Sequence, residues 1–113
     1  MAASVSRAQG ADGLWRPSLL DPLESPSPET SSTGFFCYAI AWGVNNGILD
    51  RKTYLPVVRR AWAGLNSSVR EDGKLGWVQQ IGASPAKVTA EDNQEYGSGA
   101  FLLAGSEVYK LLR

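Results

Sequence analysis

The sequence predicts an all-α fold in which helical hairpins pack in two layers. Two observations support this prediction. Asp12-Gly13-Leu14-Trp15 and Asp72-Gly73-Lys74-Leu75-Gly76-Trp77 form a repeated pattern, and each copy precedes a loop and an apolar helix that opens at a glutamate. The predicted helices also alternate between apolar on all sides and amphipathic, as inner and outer helices would. A repeat of this length cannot bury its apolar face alone, so we expect an array of such units.

The composition excludes several classes of function. The chain of 113 residues is long enough for at most one domain, and its 43% hydrophobic content indicates a globular protein. Basic and acidic residues number 11 each, so charge gives no reason to expect nucleic acid or an anionic membrane as a partner. No apolar run reaches the length of a membrane span, and we expect no membrane partner.

The residues available for catalysis and metal binding are also few. The chain has no histidine, which removes Ser-His-Asp and Cys-His sites and the usual ligands of catalytic zinc. The single cysteine, Cys37, lies in an apolar run and is expected to be a buried small hydrophobe. We therefore expect neither a metal nor a cofactor.

Apolar periodicity predicts where the helices lie. Residues 1–9 resemble the last turns of a helix rather than a signal peptide, which favours a cytoplasmic location. A helix from Glu29 to about Leu49 is apolar all round and is expected to be buried on all sides. Residues 50–69 form an amphipathic helix capped by Asp50 or Thr53, and residues 95–112 form a second apolar helix.

The segments between the helices are predicted as two loops and a short extended piece. Proline-rich residues 11–28 and polar residues 82–94 form the loops. Residues 75–81 are expected to form a short strand or hairpin arm. Gly97 and Gly99 at the start of the last helix indicate a close approach by another element.

Several short motifs follow one another in a defined order. They are Asp12-Gly13-Leu14-Trp15, Glu29-Thr30-Ser31, Tyr38-Ala39-Ile40-Ala41-Trp42-Gly43, Tyr54-Leu55-Pro56, Ala61-Trp62, Leu75-Gly76-Trp77-Val78-Gln79 and Tyr96-Gly97. In this order and spacing, over about residues 1–112, they resemble the C-terminal part of the unsaturated rhamnogalacturonyl hydrolases. These enzymes form glycoside hydrolase family 105 and are related to the unsaturated glucuronyl hydrolases of family 88.

This resemblance implies an (α/α)6 toroid of six helical hairpins, and residues 1–113 are expected to supply only the last hairpins, about a quarter to a third of the enzyme. It also implies removal of a 4,5-unsaturated uronic acid from pectin-derived, rhamnogalacturonan-type oligosaccharides. In that family a single aspartate protonates the double bond and water then adds. This aspartate and a Trp-Gly-Arg-Gly-Asn type motif precede the matched region, so we expect no catalytic residue in this chain.

The candidate substrate-binding residues lie on the repeated turns and at the helix starts. An indole on such a loop can stack on a sugar face, and a nearby arginine can pair with a uronate carboxylate. Polar side chains at the starts of inner helices can reach sugar hydroxyls. The predicted set is Trp15, Arg16, Glu29, Thr30, Ser31, Trp77 and Tyr96.

Each of these residues also has a structural explanation. Trp15 and Trp77 can pack their loops onto helix ends, whereas Trp42 and Trp62 are expected to lie in the core. Glu29 and Glu95 can complement a helix dipole, with nearby hydroxyls capping free amides. Acidic pairs for glycoside hydrolysis, Asp21 with Glu29 or Asp92 with Glu95, are weak candidates because such spacings are common.

Two other functions remain open at this stage. The chain can be a non-catalytic helical piece that binds a partner or self-associates through exposed apolar helices. It can also be a truncated gene product without activity of its own.

Overall fold

Four helices organise the chain. The computed structural model describes residues 1–82 and 84–113, and within them α1 spans Ala2–Arg7, α2 Thr30–Asn45, α3 Arg51–Ser67 and α4 Glu95–Leu112. In the same ranges no helix has both the length and the apolar composition needed to cross a bilayer.

Capping residues account for where α2 and α3 begin. The carboxylate of Glu29 accepts hydrogen bonds from the first amides of α2, and that of Asp50 accepts one from the amide of Thr53 in α3. The predicted starts are therefore confirmed, with Asp50 as the cap of α3. Helix α2 ends at Asn45, four residues before the predicted end, and the chain then turns at Gly47 with a φ of +72°.

Helices α2 and α4 lie side by side and run in the same direction. Gly34 faces Ala100, and further along both helices the amide of Asn45 donates to the carboxylate of Glu107 at 2.8 Å. Helix α3 packs mainly on α2, with Val58, Ala61 and Leu65 buried in the shared core. The two predicted apolar helices therefore form one layer and the amphipathic helix the other.

A buried carboxylate links the far ends of α2 and α4. Glu107 accepts hydrogen bonds from Asn45 and, at 3.1 Å, from the ammonium group of Lys110. The hydrogen bond from Asn45 is the main cause that holds the pKa of Glu107 below its usual value, and Lys110 acts in the same direction. Because the carboxylate of Glu107 accepts hydrogen bonds from two side chains, it can be buried in the otherwise apolar interface between α2 and α4.

The sequence predicts that α2 and α4 are buried on all sides within a complete ring and that this chain by itself exposes part of their apolar surface, and such exposure is observed among the described residues. Trp42, predicted to lie in the core, is 43% exposed, and Leu102 and Tyr109 on α4 are each 69% exposed. Trp62 is half-buried and stacks on Phe101. Helices α2 and α4 cover each other along one side, and the side of each that faces away from the other is partly exposed.

The repeated pattern is a repeated backbone turn. In each copy the aspartate, Asp12 or Asp72, accepts a hydrogen bond from the amide two residues ahead at 3.1 Å. The glycine between them has a φ of +85° in the first copy and +83° in the second. Superposing these turns pairs Trp15 with Leu75, and not with Trp77 as the sequence pattern suggested.

Residues 75–81 do not form the predicted strand or hairpin arm. Leu75 makes one isolated bridge with Val69, and the backbone that follows bonds to irregular segments. The amides of Trp77 and Val78 donate to the carbonyls of Thr89 and Asp92. Within the predicted loop 82–94, residue 83 lies outside the described residues, and the others form no helix or strand.

Small residues set the spacing between the elements. A Cβ added to Gly34 would lie 2.8 Å from the Cβ of Ala100, and one added to Gly97 would lie 2.5 Å from Val78. Gly97 therefore allows the close approach that was predicted, whereas Gly99 faces open space. Cys37 is buried as predicted, and burial raises the pKa of its thiol to about 12.

We expect Gly34→Ala to destabilise the chain relative to Gly99→Ala. In both variants alanine replaces a helical glycine, and this replacement alone raises the free energy of unfolding by about 1 kcal/mol. The new methyl group at position 34 would overlap Ala100, and such overpacking costs about 1–3 kcal/mol. Urea unfolding followed by circular dichroism measures both variants, and equal free energies of unfolding would contradict the close helix contact.

Candidate functional site

A concave pocket lies where α2 and α4 begin. It has a volume of about 290 Å³ and combines polar and apolar side chains. The polar lining consists of Glu29, Ser31, Ser32, Gln79 and Tyr96, and the apolar lining of Pro17, Leu19, Phe36 and Ile81. Three of the predicted site residues, Glu29, Ser31 and Tyr96, are therefore brought together here.

Other concavities are larger and differ in character. One of about 580 Å³ lies between the end of α3 and the exposed side of α4, against Val69, Phe101 and Leu102. Another of about 480 Å³ lies further along α4, beside Trp62 and Leu112. Both follow the open apolar face of α4. We take the pocket at the helix starts as the candidate site because three of the predicted site residues line it.

Glu29 forms the polar centre of this pocket. Its Oε1 accepts hydrogen bonds from the hydroxyl of Ser31 at 2.6 Å and the amide of Ser32 at 2.8 Å. Its Oε2 accepts from the amides of Ser31 and Gln79 at 3.1 and 2.9 Å. All four donors belong to the protein itself, so both oxygens of the side chain are held in fixed positions.

Thr30 is fully buried, so it supports the structure of the site and does not line the pocket. Its hydroxyl donates to the carbonyl of Gly76 at 2.7 Å, and its amide donates to the carbonyl of Trp77 at 3.0 Å. Trp77 has a φ of +61°, which is rare for a bulky residue and indicates local backbone strain. Its side chain is half-buried and lies outside the residues that line the pocket.

Tyr96 connects the start of α4 to the same segment. Its hydroxyl donates to the carbonyl of Gln79. Desolvation raises the pKa of this phenol above its usual value, and the negative charges of Glu29 and Glu95 raise it further. Tyr96 therefore remains a hydrogen-bond donor at neutral pH.

The structure corrects the expectation that Trp15 stacks on a sugar. Its indole is 0% exposed, donates from Nε1 to the carbonyl of Val5 at 2.8 Å and packs edge-on against Phe36. No face of the ring is open to a ligand. Trp15 instead packs its loop into the core, which was the structural alternative.

Arg16 also lies apart from the pocket lining. Its guanidinium pairs with Asp12 at 2.8 Å, and its Nε donates to the carbonyl of Pro26 at 3.0 Å. These contacts fold the proline-rich loop back on the first turn. Arg16 borders a separate depression beside the end of α1, together with Arg7 and Gln9.

Sequence reasoning left Gln79, Ser32, Phe36 and Ile81 out of the site. Gln79 was noted only as part of the extended segment, and nothing in the pattern showed that its backbone meets Glu29. The acidic pairs gain no support, because Asp21 is exposed and the carboxylate of Asp92 accepts the amide of Thr89 in a turn.

Comparison with known proteins gives consistent matches along the whole chain. The family model described as Glycosyl Hydrolase Family 88 matches residues 1–112. An unsaturated 3S-rhamnoglycuronyl hydrolase of Formosa agariphila is 53% identical over 111 residues, covering 98% of this chain and 29% of that protein. One of the same name from Alteromonas sp. (strain LOR) is 45% identical over 107 residues, covering 95% and 26%.

A solved structure of a family 88 glycosyl hydrolase from Bacteroides vulgatus gives a TM-score of 0.93 at 40% identity. The match covers 99% of this chain and 33% of that one. The four helices thus correspond to part of a six-hairpin (α/α)6 fold, which confirms the fold class predicted from the sequence. The chain spans between a quarter and a third of the length of these relatives.

We expect Glu29→Gln to lower the pKa of Tyr96 towards its usual value of about 10, because one of the two negative charges that oppose ionisation is removed. The measurement is a phenolate absorbance titration, with the curve of Tyr96→Phe subtracted to isolate Tyr96. Glu71→Gln is the control, because Glu71 is an exposed acid next to the Asp72-Gly73 turn. An unchanged midpoint in Glu29→Gln would show that the two side chains do not interact.

Proposed function

Since this chain belongs to glycosyl hydrolase family 88, we propose that it forms one wall of the substrate pocket of an unsaturated uronyl hydrolase. The substrate is an oligosaccharide that ends in a 4,5-unsaturated uronic acid, of the pectin-derived rhamnogalacturonan type or a related type. The observation that carries this proposal is the pocket at the starts of two parallel apolar helices, with Glu29, Ser31 and Tyr96 in its wall.

The chemistry of the pocket suits sugar binding. A sugar presents hydroxyl groups around an apolar ring face, and the pocket offers the hydroxyl groups of Ser31, Ser32 and Tyr96 beside Phe36 and Ile81. The names of the two curated relatives favour a uronyl group next to rhamnose. We therefore choose an unsaturated uronyl–rhamnose disaccharide as the probe.

In this proposal the chain binds and orients substrate but does not protonate the double bond. Glu29 is the carboxylate of the pocket wall, and its two oxygens already accept four hydrogen bonds. The acid and base of the reaction belong to a residue that this chain does not match.

We expect the purified chain to bind the disaccharide weakly, with a Kd of about 1 mM, and not to consume it. Ser31→Phe should fill the pocket and weaken binding about tenfold or more, whereas Ser106→Phe on the exposed side of α4 should leave binding unchanged. Chemical shift perturbation measures binding, and loss of the double-bond absorbance measures turnover.

Two outcomes would contradict this proposal. Equal affinity in Ser31→Phe and the parent chain, with helicity retained in both, would place binding outside this pocket. Turnover of the disaccharide by the parent chain would show that it contains an acid and base of its own.

A second function is favoured by the open apolar face of α4. Leu102 and Tyr109 are mostly exposed, and Leu112 is nearly half exposed on the same helix. Contiguous apolar surface of this kind marks an interaction site. We propose, as the alternative, that the chain associates with itself through this face.

We expect the parent chain to sediment as a concentration-dependent oligomer if this alternative holds. Leu102→Glu should shift it to a monomer, since a charge in an apolar contact is costly to bury. Arg59→Glu on the polar face of α3 is the control and should have no effect. A parent chain that stays monomeric at all concentrations would exclude self-association.

A further inference from the structure

We propose that Glu29 and Tyr96 are positioning residues that hold residues 77–81 between α2 and α4 and so fix the shape of the pocket wall. This inference rests on the proposed function where it concerns substrate. Its structural part stands on the hydrogen bonds alone.

The two side chains hold the backbone of a single residue from two helices. The amide of Gln79 donates to Oε2 of Glu29 at 2.9 Å, and the carbonyl of Gln79 accepts from the hydroxyl of Tyr96. Glu29 caps α2, whereas Tyr96 lies in the first turn of α4. Gln79 therefore satisfies both of its backbone polar groups only while the two helix starts are side by side.

The residues just before Gln79 are fixed as well. Trp77 is held in its left-handed conformation because its amide donates to Thr89 at 3.2 Å and its carbonyl accepts from Thr30 at 3.0 Å. Val78 is fully buried, and its amide donates to the carbonyl of Asp92 at 3.0 Å. The strained turn at Trp77 thus places the backbone of Gln79 next to the side chains of Glu29 and Tyr96.

The pocket wall continues directly from this fixed point. Gln80 is exposed, and Ile81 is 91% exposed although it lines the pocket. The backbone bonds at Gln79 come immediately before these residues, and the side chain of Gln79 donates to the carbonyl of Ala86 at 3.3 Å. Losing either bond would therefore let the wall move without unfolding the helices.

Glu29 has two separable tasks, which makes the inference testable. Aspartate is as good a helix cap as any residue, and Glu29→Asp should keep the hydrogen bonds to the first amides of α2. The side chain is one methylene shorter, so it should no longer reach the amide of Gln79. A residue that acts only as a cap would leave Gln79 unaffected by this change.

The experiment measures amide hydrogen exchange in the folded chain. We expect Glu29→Asp to speed exchange at the amide of Gln79 about tenfold, because a hydrogen bond to a charged group is lost. We expect Tyr96→Phe to speed it about fivefold, because a neutral hydrogen bond is lost. Exchange at Ile40, in the middle of α2, should not change. Circular dichroism confirms that each variant keeps its helices.

Two variants serve as matched controls. Tyr109→Phe removes a hydroxyl from an exposed position on α4, and Asp50→Ala removes the side-chain cap of α3. Neither should alter exchange at Gln79. If Glu29→Asp or Tyr96→Phe behaves like these controls, that residue does not position the segment; if Glu29→Asp loses its helices, Tyr96→Phe decides the inference.

Binding of the unsaturated uronyl–rhamnose disaccharide tests the substrate part. If the parent chain binds, both variants should bind at least fivefold more weakly, and equal affinity would show that the fixed segment does not shape the pocket. If the parent chain does not bind, the proposed function fails, and the exchange rates still decide whether Glu29 and Tyr96 hold Gln79.

Discussion

The arrangement of the pocket depends on the carboxylate of Glu29. A helix start leaves several amides without partners, and Glu29 satisfies two of them in α2 while it also binds the amide of Gln79, 50 residues further along the chain. One anion thereby joins a helix to a segment that has no regular structure of its own. Because the segment also bonds to Tyr96, the cap of α2 helps to set the distance between two helices.

The repeat in the sequence reflects the geometry of a turn and not the place of an aromatic residue. In both copies an aspartate and a glycine with positive φ build the same backbone shape, and the third residue after the aspartate enters the core. That residue is Trp15 in the first copy and Leu75 in the second, and both are buried. Trp77 comes two residues later, where it meets different partners and takes a strained conformation.

The helices could be predicted because their signals are local. Apolar periodicity identified α3 and α4, with a capping aspartate at the start of α3, and the bounds Glu95–Leu112 agree with the structure. The segment at 75–81 could not be assigned in this way, since an apolar alternation does not reveal whether the backbone pairs with a strand or with the start of a distant helix. The burial of Trp15 could not be predicted in this way either, because its contacts with Val5 and Phe36 depend on tertiary packing.

The same side-by-side packing of α2 and α4 explains both the pocket and the exposed apolar face. An inner helix of a ring needs an inner neighbour on each side, and within the described residues α2 and α4 each have only the other as a neighbour in that layer, with α3 in the second layer. The pocket at their starts is accordingly walled on one side by Glu29, Gln79 and Tyr96. Under the proposed function, a group that protonates the sugar must approach from the side opposite this wall. The residues that hold the sugar and the residue that transforms it are then separate parts of the ring, and the open faces of α2 and α4 are the surfaces through which those parts would be joined.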